Sequence, residues 1–405
     1  MGGSEVRDYT QQLTVEQFGA MVATATRTVG SDRGPYLGYT PTGAPLPVRF
    51  DATQAPRESR ASAVLLIGTL GSGKTVAAQA IEYAAERRGS LVVDFDPKPD
   101  HGLHNLTELE GRVGVLALSG DPAQQGKLDP LAIGLPELRE ELACSYLLEL
   151  LPGNPGQWEN AVSLAVKDAV REGSRSLSRV IELLGASDRA GARDAGEALE
   201  VIHDFGLARL GFGTGESSTV VQASHPVTTI RMPGLSLPEP SAARDTYTRA
   251  ERVSVATLSL VAAYALQLIS GDRTRHKIVG LDEIWFLLAS PQGRQVINRL
   301  VRLGRAFNAT LLLGTQRIGD LGDLADLIGV VLVFGQDSND AAEAALRFIG
   351  LDPTRELVGL VREMRTGRCL MRDLHGRVGE VQVDLVYPHL LEAFHTTPGQ
   401  PASAQ

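Results

Sequence analysis

Ala63-Val64-Leu65-Leu66-Ile67 runs directly into Gly68-Thr69-Leu70-Gly71-Ser72-Gly73-Lys74-Thr75, and Val76-Ala77-Ala78-Gln79-Ala80-Ile81 follows. The first five residues form the continuous apolar run of a strand buried on both faces, and the last six read as the opening of a helix. Between them stands Gly-x4-Gly-Lys-Thr. Glycines let the backbone turn tightly and bring its N–H groups against phosphate oxygens with no Cβ in the way. In this pattern Gly68, Thr69, Leu70, Gly71, Ser72, Gly73, Lys74, Thr75 and Val76 would cradle a nucleoside triphosphate. Lys74 would reach the β- and γ-phosphates and the Thr75 hydroxyl would ligate magnesium. The bland alternative is a Gly-rich strand-to-helix turn that matches by chance, and the strand before and helix after weigh against it.

The surrounding pattern sets the fold class. A second apolar strand, Ser90 to Asp96, follows the helix, which makes a βαβ opening and implies a parallel sheet. Another short strand, Val113 to Leu118, precedes the turn Lys127-Leu128-Asp129-Pro130-Leu131. From about 135 to 215 the pattern becomes helical, with segments such as PELREELACSYLLELL and QWENAVSLAVKDAVREG carrying apolar residues at three- and four-residue spacing. That is more helix than one βα crossover needs, so it reads as an inserted all-α subdomain. Strand signals return at Ser218 to Gln222 and Val227 to Met232, before a long helix over 242–270. Then come strand 277–282, helix 291–306, strand 309–314, helix 320–328, strand 330–334, helices near 338–349 and 353–363, and a hairpin of strands 367–373 and 378–385. Residues 1–60 read as a lead-in with a helix-like piece at 13–26 and one or two short strands. The segments therefore divide as 61–134, first part of the nucleotide-binding domain; 135–215, helical insert; 216–390, second part; and 391–405, a disordered tail.

With 405 residues, of which 43% are hydrophobic, the chain can bury a large core of two or three structural units. A net charge of −9 argues against a surface that coats itself in nucleic acid, since such binding depends on neutralising phosphates, although a local basic pore stays open. No window offers eighteen uninterrupted apolar residues, and the start has no signal-peptide core, so a cytoplasmic protein without a transmembrane segment is expected. Two cysteines, Cys144 and Cys369, suggest core positions rather than a disulfide framework or a metal site.

Chemistry beyond the phosphate loop centres on Lys277-Ile278-Val279-Gly280-Leu281-Asp282-Glu283, an apolar strand that ends in two carboxylates. Strand C-termini line the ligand crevice of an open parallel sheet, so Asp282 would hold magnesium and Glu283 would deprotonate the attacking water. The strand Thr310 to Gly314 ends at Thr315-Gln316, whose amide either senses the γ-phosphate and positions the water or caps the next helix. Arg302 and Arg305 are candidates for an arginine finger reaching a neighbouring subunit, against the alternative of a solvated helix face; Arg368 and Arg372 are weaker candidates. Asp96 would contact the nucleotide or cap a turn. His101 and His104 read as exposed loop residues, and Trp158 and Trp285 as packing residues, with Trp285 covering the helix after the acids.

An ABC-type signature is not matched, since Leu118-Ser119-Gly120-Asp121 is only a fragment of one. The combination resembles the VirB/TraC-type traffic ATPases of conjugative type IV secretion systems, within the HerA–FtsK superfamily of P-loop ATPases. The residues that carry the resemblance are 68–75, Asp94-Phe95-Asp96-Pro97, Leu128-Asp129-Pro130-Leu131, Leu281 to Leu288, Arg302-Leu303-Gly304-Arg305, Gly314-Thr315-Gln316 and Gly367 to Arg372. It spans roughly 38–388. The chain departs from the family in resembling its C-terminal ATPase portion alone, without the larger N-terminal domain, and in having Asp129 where asparagine is commoner, a change expected to matter little.

The resemblance implies a RecA-like α/β P-loop ATPase with a parallel central sheet, an inserted all-α subdomain and a C-terminal antiparallel hairpin. It implies ATP and magnesium as cofactors, a homo-hexamer as the working state, and other type IV secretion components at the inner face of the membrane as partners. The implied function is ATP hydrolysis that energises conjugative DNA transfer or secretion. Two alternatives stay open: a DNA-pumping translocase of the same superfamily, and an ATP-binding assembly scaffold with incidental turnover.

Overall fold

A computed structural model describes residues 28–395, apart from 98, 134, 215–223, 240, 241 and 290. The helix expected at 13–26 and the strand expected at 218–222 lie outside the described residues. Eleven strands are described: β1 (Tyr36–Tyr39), β2 (Pro47–Arg49), β3 (Ala63–Ile67), β4 (Leu91–Asp96), β5 (Val113–Ala117), β6 (Val227–Arg231), β7 (Lys277–Leu281), β8 (Ala309–Thr315), β9 (Ile328–Phe334), β10 (Arg368–Arg372) and β11 (Val378–Val383). They form one sheet in the order β2-β1-β11-β10-β9-β3-β8-β7-β4-β6-β5.

From β9 to β5 every pairing is parallel. From β10 outward every pairing is antiparallel. The β10–β11 hairpin therefore extends the sheet as the sequence implies. The two short lead-in strands complete that extension: β1 pairs with β11, Gly38 opposite Val383.

The period of two along β3 explains why its whole run is apolar. Val64 and Leu66 face helix α1 (Lys74–Glu86) and pack with Ala77, Ile81 and Ala85. Ala63, Leu65 and Ile67 face the larger core, which includes helix α6 (Arg249–Ser270) and most of the helical insert. The insert comprises α2 (Arg139–Leu150), α3 (Glu159–Arg171), α4 (Leu177–Gly185) and α5 (Ala192–Ile202). Its helices bury Leu147, Val162, Val180 and Leu199 in that same core.

Helix α6 begins later than the expected 242, because Thr248 and Glu251 close a capping box there. At 22 residues, with a hydropathy of 1.8 over its most apolar window, it is long and apolar enough to cross a bilayer by length and composition. Of that window 83% is buried inside the protein, which is what a central core helix requires. Further helices include α7 (Trp285–Ala289), α8 (Pro291–Gly304), α9 (Asn339–Phe348), α10 (Arg355–Arg362) and α11 (Pro388–Phe394), besides two four-residue turns of helix at Gln54–Arg57 and Pro130–Ile133. The helix expected at 320–328 is instead a pair of 3-10 turns, Ile318–Asp320 and Gly322–Leu327, with β9 starting already at Ile328. The expected boundary of a disordered tail at 391 is corrected, since α11 runs through Phe394 and buries that ring beside Tyr83 of α1.

Asp129 also corrects an expectation. Its carboxylate is fully buried, with Oδ1 accepting the Leu131 N–H at 3.0 Å and Oδ2 accepting the N–H groups of Leu177 and Gly213 at 2.8 Å each. One side chain thus pins the entry to the insert, the start of α4 and the exit after α5. An asparagine has a single acceptor oxygen, so the aspartate here is a structural commitment.

Candidate active site

β3 delivers the chain to the phosphate loop at the sheet's C-terminal edge, and α1 starts at Lys74. Gly73 sits at φ +103°, and a Cβ there would come within 2.8 Å of the Gly367 nitrogen, so only glycine fits. Lys74 Nζ lies inside the loop and donates to the carbonyls of Gly68 at 2.6 Å and Thr69 at 2.9 Å. Ser72 Oγ donates to the Thr69 carbonyl at 2.7 Å, which closes the turn.

β8 lies between β3 and β7, so the Asp-Glu tip of β7 is one strand removed from the phosphate loop. Thr75 Oγ1 nonetheless donates to Asp282 Oδ2 at 2.8 Å, across 207 residues of sequence. Oxygens on neighbouring vertices of a magnesium octahedron with bonds of about 2.1 Å lie about 3 Å apart. The hydroxyl and carboxylate predicted to hold the ion thus stand at a spacing that fits it. Burial would raise the Asp282 carboxyl, but His101, Thr75 and Lys74 outweigh it and hold Asp282 at about 2, ionised in the physiological range.

Glu283 follows at φ +63°, the left-handed region that a non-glycine residue occupies only when its surroundings hold it there. The turn aims its carboxylate at the tip of β8. Gln316 Nε2 donates to both carboxylate oxygens at 3.3 Å, and Trp285 Nε1 donates to Oε2 at 2.8 Å. The structure thus brings Glu283 and Gln316 together as the sequence predicted, and adds Trp285, which the sequence treats as packing.

His101 overturns its expectation. It is 4% exposed, with Nδ1 donating to Asp94 Oδ1 at 2.7 Å and Nε2 3.8 Å from Asp282 Oδ2, whereas His104 is exposed as expected. Burial disfavours the imidazolium, yet Asp94, then Asp282 and Asp96, pull the His101 pKa well above the ordinary value. Behind them Glu82 is buried against Gly280, where a Cβ would sit 1.9 Å from Glu82 Oε1. Burial, reinforced by Asp94, raises the Glu82 carboxyl well above the usual range. Asp96 accepts Arg231 Nε at 2.9 Å and the N–H groups of Asp100 and His101. That is the turn-capping option, and it ties the strand end rather than presenting a free carboxylate. The ligand atoms of Asp96, Asp100 and His101 lie within 4.8 Å of one another, but Asp96 is already spent on these donors.

The C-terminal hairpin, whose Gly367 to Arg372 stretch carries part of the family resemblance, also reaches the site. Gly367 N donates to the Ser72 carbonyl at 2.9 Å and Thr366 Oγ1 to the Gly71 carbonyl at 3.3 Å. From β9, the Gly335 carbonyl accepts the Thr69 N–H at 3.0 Å. Gly367 takes the left-handed φ of +79° that favours glycine, and its nitrogen is the atom a Cβ on Gly73 would meet.

The arginine candidates divide differently. Arg368 ion-pairs with Glu380 on the neighbouring strand at 2.5 Å, while Arg372 donates to the carbonyls of Ile328 and Phe348 and stacks on the Phe348 ring. Arg305 Nη1 donates to the Ser59 carbonyl at 2.8 Å, at the N-terminal edge of β3 and opposite the phosphate loop. Arg302 is exposed in the last turn of α8, near that same edge.

A parallel sheet with a phosphate loop at one strand tip, a carboxylate pair at another and an intervening strand ending in glutamine defines a P-loop NTPase-type fold with an added central strand. The chain belongs to the AAA-like domain family, whose model matches residues 52–394. The fold is similar to VirB4 of Thermoanaerobacter pseudethanolicus, with a TM-score of 0.69 at 16% identity, over 90% of this chain and 99% of that one. It is also similar to the plasmid coupling protein TrwB in complex with ADP and Mg2+, with a TM-score of 0.54 at 14% identity, over 93% and 96% of the two chains. Among curated proteins, YddE of Bacillus subtilis (strain 168) is 21% identical over 277 residues, 67% of this chain and 33% of that protein. The chain therefore spans about a third of the length of that relative.

Proposed function

We propose that this chain binds ATP with magnesium and hydrolyses it, and that turnover drives conjugative transfer or type IV secretion from a ring of six copies. The observation that carries the reading is the pairing of Thr75, in the first turn of α1, with Asp282, and of the adjacent Glu283 with Gln316, at the ends of β7 and β8.

Each residue has a part that its position supports. The loop N–H groups and Lys74 would bind the β- and γ-phosphates, with Lys74 exchanging loop carbonyls for phosphate oxygens. Thr75 and Asp282 would hold magnesium, which when bound neutralises phosphate charge. Glu283 would accept the proton of the attacking water at a carboxylate oxygen, and Gln316 would orient that water or follow the γ-phosphate. Atoms balance simply: water oxygen bonds to the γ-phosphorus, the bond to the β-bridging oxygen breaks, and the water proton passes to Glu283.

The secretion reading rests on the fold's likeness to VirB4 and to the bacterial conjugative coupling protein TrwB, which has been seen in complex with ADP and Mg2+. Arg302 and Arg305 lie too far toward the opposite sheet edge to serve their own site, so a finger role would act on a neighbouring copy. The segments 61–134 and 216–390 would form the motor domain and 135–215 a docking subdomain. The experiment is ATP turnover by the wild-type chain, Lys74→Ala and Glu283→Gln, with and without DNA. Loss in both variants supports the reading. Strong salt-sensitive stimulation by DNA would favour the DNA-pumping alternative, and nucleotide binding without turnover would favour the scaffold.

A further inference from the structure

We infer that Trp285 is a positioning residue for the reaction: its indole N–H holds Oε2 of Glu283 so that the other carboxylate oxygen is aimed at the attacking water. The inference rests on the ATPase reading above.

The geometry leaves the indole little freedom. Trp285 opens α7 two residues after Glu283, and its ring is packed against the main core, so the N–H has a fixed direction. Tryptophan has one polar hydrogen, and here it is given to Glu283 Oε2 at 2.8 Å. Gln316 offers its amide to both oxygens at the longer distance of 3.3 Å. The two donors therefore have different duties. An amide on a strand tip can turn toward a γ-phosphate when one arrives, whereas the indole stays with Oε2. A carboxylate held by one oxygen keeps the other oriented, which a general base on a single rotatable side chain otherwise lacks. The left-handed φ of +63° at Glu283 fits this account, because that turn places the carboxylate where both donors reach it. The hydrophobic run after the acids thus contains one residue whose polar atom matters more than its ring.

The test uses Trp285→Phe, which keeps an aromatic ring and removes the donor. Losing a hydrogen bond to a charged group that orients the base should lower kcat about ten- to a hundredfold, with KM for ATP within about twofold. In Glu283→Gln the carboxylate is gone, so adding Trp285→Phe should slow turnover no further. A packing role alone would instead give a loss that multiplies with that of Glu283→Gln. The chain has two tryptophans, so Trp158→Phe leaves Trp285 as the sole indole, and its emission should change when Glu283→Ala removes the acceptor. Wild-type kcat in Trp285→Phe, a multiplicative double variant, or emission insensitive to Glu283→Ala would each overturn the inference. An inactive wild-type chain, or one whose turnover survives Glu283→Gln, would instead sink the hydrolytic reading, and the emission experiment would still decide whether the indole holds Glu283.

Discussion

Replacing Asp129 by asparagine sets two forces on one buried carboxyl against each other. Three backbone N–H groups favour the ionised form, while complete burial opposes it; burial is the larger effect and pushes Asp129 up to about 7. In the unfolded chain the group has its ordinary value near 3.8. A carboxyl raised on folding contributes stability that is fully present below the unfolded value and lost as pH rises through the folded one. Across the full shift of roughly three units the loss is about 4 kcal/mol at about 1.4 kcal/mol per unit, and about 2 kcal/mol of it falls between pH 5.5 and 8.5. Asp129→Asn does not titrate, so it lacks this loss. It also has one acceptor oxygen for the three N–H groups of Leu131, Leu177 and Gly213, which should cost about 2 kcal/mol at pH 5.5. The assay is urea unfolding of both proteins at the two pH values. The wild type should be the more stable by about 2 kcal/mol at pH 5.5, and the gap should close by about 2 kcal/mol at pH 8.5. All other titrating groups are common to both proteins and cancel. A gap that is the same at both pH values would refute the reasoning, because it would mean that the three donors hold Asp129 ionised across that range.

Other variants test other parts of the site. Lys74→Ala should abolish turnover while leaving the unfolding midpoint near that of the wild type, measured by phosphate release and urea denaturation. Gly280→Ala should destabilise by about 1–3 kcal/mol, because the new methyl overlaps the Glu82 carboxylate in a packed interior; an unchanged urea midpoint would contradict the placement of Glu82. Gly73→Ala should weaken binding of a fluorescent ATP analogue by tenfold or more, since it needs a left-handed alanine and displaces the hairpin at Gly367.

The features legible in the sequence are those whose chemistry sits within a few consecutive residues. The phosphate loop, the Asp282-Glu283 tip and Thr315-Gln316 each announce themselves locally, and the apolar run before each gives a buried parallel strand. The order of those strands across the sheet is not written in any residue spacing. Contacts between residues distant in sequence were not legible. His101 reads as a loop residue because nothing next to it shows Asp94 and Asp282 closing around it from two strands. Asp129 looked interchangeable with asparagine because two of its donors arrive 48 and 84 residues later. Trp285 counted as apolar bulk, since hydrophobic patterning weighs its ring and ignores its N–H. The docking of Gly367 on Ser72 left only a glycine as its trace. The break of the expected 320–328 helix into 3-10 turns has a local cause, since Gly319 and Gly322 interrupt it.

The most direct test of the central claim is ATP turnover per subunit over a wide range of protein concentration, with Glu283→Gln as the blank. Turnover that rises steeply with concentration in the wild type and falls to a small residual rate in Glu283→Gln, which should retain bound ATP, is the predicted result. Equal turnover in the two proteins at every concentration would contradict the assignment of Glu283 as the base and, with it, the account of the site.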